Sequence, residues 1–260
     1  MSSTQSESTT PPIIPGAEPL SHVGTNGCGV IVIHGFTGNP SSMRGVAEAF
    51  IAAGFTVELP RLPGHGTTLA DMMTTSWADW SGCVSAVYAD LANRVDKVVV
   101  VGLSMGGTLT AYLAAKNPAI VGIVTINGAL EPMNSDFRAM VAGMVDAGGT
   151  EIPGIGSDIA MPGVVESAYP GTPLAALLSL ADGGTELDAL VPGITCPSLV
   201  MFSPQDHVVP VTSSPYFASK VGGPVELVSL DRSFHVATLD FDAELINERA
   251  VAFANQVCGL

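Results

Sequence analysis

The stretch KVVVVGLSMGGTLTAYLAAK, residues 97–116, decides how the rest of the chain is read. Its run of valines ahead of Gly102 has the unbroken apolar character of a strand buried on both faces. It passes at once into a helical segment that starts at Met105. Between the two lies Gly102-Leu103-Ser104-Met105-Gly106, a G-x-S-x-G placed on a strand-to-helix turn. A serine on so tight a turn needs strained backbone angles. Small residues two before and two after it let neighbouring backbone pass closely. The helix that follows aims its first N–H groups at the same spot. Glycine and serine are common, so the five residues alone say little; the strand before and the helix after make Ser104 a candidate nucleophile.

A serine hydroxyl is a weak nucleophile and needs a base, which in turn needs an orienting group. The chain has five histidines. His22 falls near the start, and His34 and His65 fall in Gly-rich loops where a packed, loop-holding ring is the simpler reading. His207 directly follows an acid and reads as a solvated loop residue. His235 sits just after the last expected strand and before the last helix. The tips of parallel strands gather at one edge of a sheet, so His235 is the best candidate base. Asp206, in the loop after the strand CPSLVMFS (196–203), fits the orienting acid. Its rivals are Asp231, which reads as a turn residue, and Asp240, which reads as an N-cap. A tetrahedral oxyanion would also need donors: the N–H of Met105, and one from the loop 34–38, where Phe36 is the choice.

Working outward, apolar runs and helical stretches alternate. Strands are expected at 28–36, 55–60, 97–104, 119–128, 196–203 and 225–230, with helices between them and a closing helix over 240–257. This is the pattern of an α/β protein with a mostly parallel sheet flanked by helices. One segment, 131–196, interrupts the rhythm, and a structureless connection of that length would be abnormal. It reads as a small inserted helical cap. Phe137, Met140, Val141, Met144 and Val145 recur at helical spacing, and Leu174, Leu177 and Leu178 start a second stripe. Phe137, Met140, Met144, Leu174, Leu177 and Leu178 are the candidate lining of an apolar pocket. The expected organisation is a flexible N-terminal tail over 1–22, a core made of 23–130 and 197–260, and the cap between.

Composition narrows the partners. Among 260 residues, 9 Lys+Arg face 24 Asp+Glu, a net charge of −15. So acidic a surface repels phosphates and argues against nucleic-acid binding. No apolar run approaches the ~20 residues of a transmembrane helix. The four cysteines show no metal spacing, and no GxGxxG follows a strand, so neither metal nor cofactor is expected. The first residues lack the apolar core of a signal peptide, which points to a cytoplasmic protein. The cap holds nine of the acidic residues and one basic residue, Arg138, which favours a neutral small molecule over an anionic one.

HGFTG (34–38), LPGHG (62–66), GLSMGG (102–107), PQDHVVP (204–210) and FHVATLD (234–240) occur in an order that resembles the α/β-hydrolase superfamily. More narrowly, they are similar to the bacterial carboxylesterase and monoacylglycerol lipase group. The resemblance implies the α/β-hydrolase fold, with Ser104, Asp206 and His235 as the catalytic triad and Phe36 and Met105 at the oxyanion hole. It also implies that 131–196 is a lid over an acyl-chain pocket. One departure is Phe234, where such enzymes often carry glycine. The expected activity is carboxylic-ester hydrolysis on lipid-like substrates. The alternatives are lactone, C–C or amide hydrolysis on the same residues, or a hydrolase fold kept only for ligand binding.

Overall fold

The computed structural model describes residues 11–260. Seven strands form one sheet: β1 (Leu20–His22), β2 (Cys28–Ile33), β3 (Thr56–Leu59), β4 (Lys97–Leu103), β5 (Gly122–Ile126), β8 (Ser198–Phe202) and β9 (Val225–Ser229). Their spatial order is β1-β3-β2-β4-β5-β8-β9. Every pairing is parallel except β1 with β3. β6 (Glu151–Pro153) and β7 (Gly171–Pro173) make a separate two-stranded antiparallel ribbon.

The valine run explains why the sheet needs helices on both faces. Alternate residues of a strand point to opposite sides, and in β4 both sides are buried. Val99 and Val101 join Val30, Val32 and Val124 in one apolar layer, with Phe50 of α1 (Arg44–Ala52) and Phe253 of α8 (Ala243–Cys258). Val98 and Val100 join Ile31, Ile33 and Ile123 in the other. That second layer takes Trp80 and Val84 from α3 (Trp77–Ala92), Leu109 and Leu113 from α4 (Met105–Lys116), and Leu187 from α6 (Leu174–Leu190). The short α2 (Leu69–Met72) contributes Met72, and α7 (Ser213–Lys220) contributes Phe217. α3 starts where Ser76 and Asp79 form a capping box, with the Ser76 N–H donating to Asp79 Oδ2 at 2.9 Å.

Three expectations change. Residues 1–10 of the expected tail lie outside the described residues, but 11–22 are not loose. Ile14 donates its N–H to Gly66 O at 2.8 Å, Ala17 is buried, and β1 covers the outer edge of β3. An unpaired edge takes a strand when one is available, and three residues of mixed polarity gave no warning of it. The interval 131–196 contains strands after all, β6 and β7. It also divides: α5 (Ser135–Asp146) and the loops around the ribbon precede α6, which packs on α3 and α4. There α6 serves as the crossover between the parallel neighbours β5 and β8, so it belongs to the core layer. Gly183 of α6 lies so close to Trp77 that an added Cβ would meet the indole at 2.1 Å.

At the far end, β9 is the outer strand, with Glu226 and Leu227 exposed and Glu226 paired with Arg249 of α8. Among the described residues, no helix is long and apolar enough to cross a membrane.

Candidate active site

Ser104 occupies the turn between β4 and α4 with φ 56° and ψ −120°, in the region that L-residues rarely adopt. The two flanking glycines are forced by approach distance. A Cβ on Gly102 would lie 2.1 Å from Gly106 O, and one on Gly106 would lie 2.2 Å from Ile33 O. The turn is locked to its neighbours: Ser104 N–H donates to Ile126 O at 3.0 Å, and Ser104 O accepts from Gly107 N–H at 2.8 Å. Ser104 Oγ makes no hydrogen bond among the described residues and lines a cleft of about 440 Å³.

His235 lines the same cleft, in the loop between β9 and α8. Its Nδ1 is 2.8 Å from Asp206 Oδ2. Asp206 Oδ1 accepts from the N–H groups of Val208 and Val209, each at 2.8 Å. Because a carboxylate only accepts, Nδ1 carries the proton and Nε2 is left with its lone pair. Thus the three residues Ser104, Asp206 and His235 come together from the tips of β4, β8 and β9.

The loop 34–39 forms another wall. Gly35, Phe36 and Thr37 line the cleft, and Thr37 holds φ 61°. The Phe36 ring packs edge-on against Trp80, with centroids 5.7 Å apart. Met105 is fully buried, and its N–H opens α4 beside Ser104. His34 and His65 lie behind this loop. Leu62 N–H donates to His34 Nε2 at 3.2 Å, and His34 Nδ1 donates to Gly35 O at 2.9 Å. Burial and the neighbouring His65 lower the pKa of His34 to about 3. Burial is also the main cause that lowers His65 to about 4. Both rings are neutral props for the loops 34–39 and 62–66.

Several other polar residues surround the site, and Asn127, Asp158 and Glu166 carried no signal in the sequence. Asn127, at φ 45° after β5, donates through Nδ2 to His235 O at 2.7 Å and accepts at Oδ1 from Ser203 N–H at 2.7 Å. Asp240 is not an N-cap: α8 starts at Ala243, and the Asp240 carboxylate accepts from the N–H groups of Ala160, Met161 and Phe234. Glu166 and Asp158 reach the cleft from the loop between β6 and β7. Burial pushes the Glu166 carboxyl up. Asp231 is a turn residue as expected, accepting from Ser229 Oγ.

The expected apolar pocket is not built from the expected residues. Phe137, Met140 and Met144 are exposed on α5, Leu174 is buried, and Leu177 and Leu178 are half-buried. None of the six lines the cleft around Ser104. Ile155, Val208, Val236 and Leu103 give it its apolar wall instead. A helical stripe tells which residues share a face, not what that face meets.

A helix-flanked parallel sheet with a serine on a strained β4–α4 turn and a histidine and an acid at later strand tips is the architecture of the alpha/beta hydrolases. The chain belongs to that family, whose model matches residues 30–248. It is 45% identical over 247 residues to a thermostable monoacylglycerol lipase of Bacillus sp. (strain H-257), covering 93% of this chain and 96% of the relative. It is 25% identical over 231 residues to a carboxylesterase of Bacillus subtilis (strain 168), covering 88% and 92%. Among solved structures, one from work on LipS and LipT, two metagenome-derived lipolytic enzymes, superposes with a TM-score of 0.90 at 46% identity. It covers 94% of this chain and 100% of that one.

Proposed function

We propose that the cleft hydrolyses neutral, lipid-like esters, monoacylglycerols among them, through an acyl-enzyme on Ser104. The chain is a carboxylic-ester hydrolase, as its similarity to lipolytic relatives over nearly its whole length supports. The observation that carries the assignment of roles is the 2.8 Å bond from His235 Nδ1 to Asp206, in the cleft that Ser104 lines. With Nδ1 held by the carboxylate, Nε2 takes the Ser104 proton as Oγ attacks the ester carbonyl. The N–H groups of Phe36 and Met105 receive the oxyanion. Collapse breaks the ester C–O bond, and His235 returns the proton to the departing alcohol. A water molecule, activated by the same Nε2, then frees the acid and restores Ser104.

The cleft wall supports a neutral substrate. Its described lining includes the Asp158 carboxylate and no lysine or arginine, so an acyl-CoA would bring its phosphates against negative charge with no cation to meet them. Residues 131–173 are assigned the role of lid, since they supply Ile155, Asp158 and Glu166 to that wall. The four free thiols fit a reducing, cytoplasmic setting.

The test is covalent labelling with a fluorophosphonate alongside a substrate panel. Ser104→Ala should abolish labelling and lower kcat by about a thousandfold or more, and His235→Ala should lower kcat comparably. A folded Ser104→Ala variant that still hydrolyses esters would overturn the assignment. Faster turnover of acyl-CoA than of a monoacylglycerol would overturn the substrate class.

A further inference from the structure

Asp158 has no role in the chemistry above, yet it accepts from three backbone N–H groups around the triad. It sits in the loop between β6 and β7, with its side chain 14% exposed. Its Oδ2 accepts from the N–H of His235 at 3.0 Å and from the N–H of His207 at 3.1 Å. Its Oδ1 is 2.8 Å from the ring Nδ1 of His207. Its carbonyl oxygen accepts from the N–H of Val236 at 3.0 Å. One residue thus holds the candidate base, the residue after the base and the residue after Asp206.

The His235 residue is consequently gripped at both ends. Asn127 holds its C=O from the core, and Asp158 holds its N–H from the inserted segment. The His207 ring completes the contact, stacked edge-on against Phe234 with centroids 4.6 Å apart. Burial alone would raise the Asp158 carboxyl, but the hydrogen bonds from His207 and His235 outweigh it and the pKa is lowered. Both oxygens therefore stay available as acceptors.

We propose that Asp158 is a positioning residue for the reaction: its carboxylate fixes the loop after β9 against the loop after β8, and so holds the His235 ring in line between Asp206 and Ser104. The inference rests on the triad reading given above. It makes the geometry of the base depend on a segment outside the core. Reacting groups displaced by ~1 Å lose on the order of a hundredfold in rate, so a grip on backbone is enough to matter.

Four variants measured on a short, soluble p-nitrophenyl ester test it, with Ser104→Ala in parallel. Asp158→Ala removes the grip, and Asp158→Glu keeps the charge but moves it by one methylene. Both should lower kcat by about tenfold or more with KM changed less than about twofold. Asp158→Asn keeps an oxygen for the two N–H groups and should stay within about threefold of the parent. So should His207→Ala, which keeps its backbone N–H. Rates are divided by sites titrated to completion with fluorophosphonate, so that only folded molecules count. If Asp158→Ala does not fold, the Glu and Asn variants decide. A folded Asp158→Ala enzyme with full kcat overturns the proposal. So does a loss confined to KM, which would make Asp158 a substrate contact. So does a pattern in which Glu preserves activity and Asn does not, which would make charge rather than position the cause. An active Ser104→Ala enzyme would bring down the triad reading itself. An inactive one beside an unimpaired Asp158→Ala would bring down this inference alone.

Discussion

Gly106 can be nothing larger, because a Cβ there would lie 2.2 Å from the backbone oxygen of Ile33 and 2.8 Å from that of His34. These contacts are with backbone, which cannot swing aside. Gly106→Ala should therefore cost about 3 kcal/mol or more in urea unfolding. It should also move the loop 34–38 away from Ser104. A variant within 1 kcal/mol (roughly the threshold for a mild substitution) would show that the turn is more pliant than its geometry implies. The spacing that demands these glycines is local, and for that reason the position of Ser104 on a strand-to-helix turn was legible. The positions of His235 and Asp206 were legible because each follows a strand in a parallel sheet. Asn127, Asp158 and Asp240 were not. They act by gripping backbone groups far along the chain: Asn127 lies 108 residues from His235, and Asp158 lies 77. Any amide or carboxylate can make such a bond, so residue type and spacing carry no trace of it.

Among the elements, α5 and α6 show what periodicity can and cannot tell. Both were legible as helices. Their surroundings were not, because an apolar stripe is satisfied equally by core, pocket or an open surface. Phe137, Met140 and Met144 of α5 are partly exposed, whereas Leu187 of α6 is buried against the core. Phe137→Ser should therefore cost only about 1 kcal/mol. Leu187→Ala should cost about 2–5 kcal/mol. Chemical denaturation of the two variants checks the contrast, and a larger loss for Phe137→Ser would contradict the description of α5. The strand order was legible only in its outline. The alternation of apolar runs and helices gives a parallel sheet, but β1 is three residues of mixed polarity and exists because β3 offers it an edge.

For the molecule as a whole, the two buried histidines set an acid limit. His34 and His65 hold values of about 3 and about 4, below the ordinary 6.5. When pH falls below 6.5, the unfolded chain takes up protons that the folded protein refuses. The two rings' contribution to stability is therefore full above that value and declines as pH falls, to about 4 for His65 and about 3 for His34. Each ring contributes about 1.4 kcal/mol per pH unit within its window. His65→Phe, which keeps an aromatic ring against Trp80 and Phe36, should remove close to half of the slope between pH 6 and 5 as read from urea midpoints. An unchanged slope would mean that the acid sensitivity lies elsewhere.

The sheet's outer strand has a consequence for the protein in bulk. β1 covers one margin of the sheet, but β9 ends the other with a row of backbone donors and acceptors facing outward and Leu227 47% exposed. Such a margin is a template on which another chain can extend the ladder. What opposes growth there is the charged pair of Glu226 and Arg249 at the strand and the net charge of −15 that every approaching copy carries. Both protections act through space, and dissolved salt shortens their reach to about 8 Å at physiological strength. Concentrated stocks should keep best in dilute buffer, and particles that form on salting should carry β9 joined to β9.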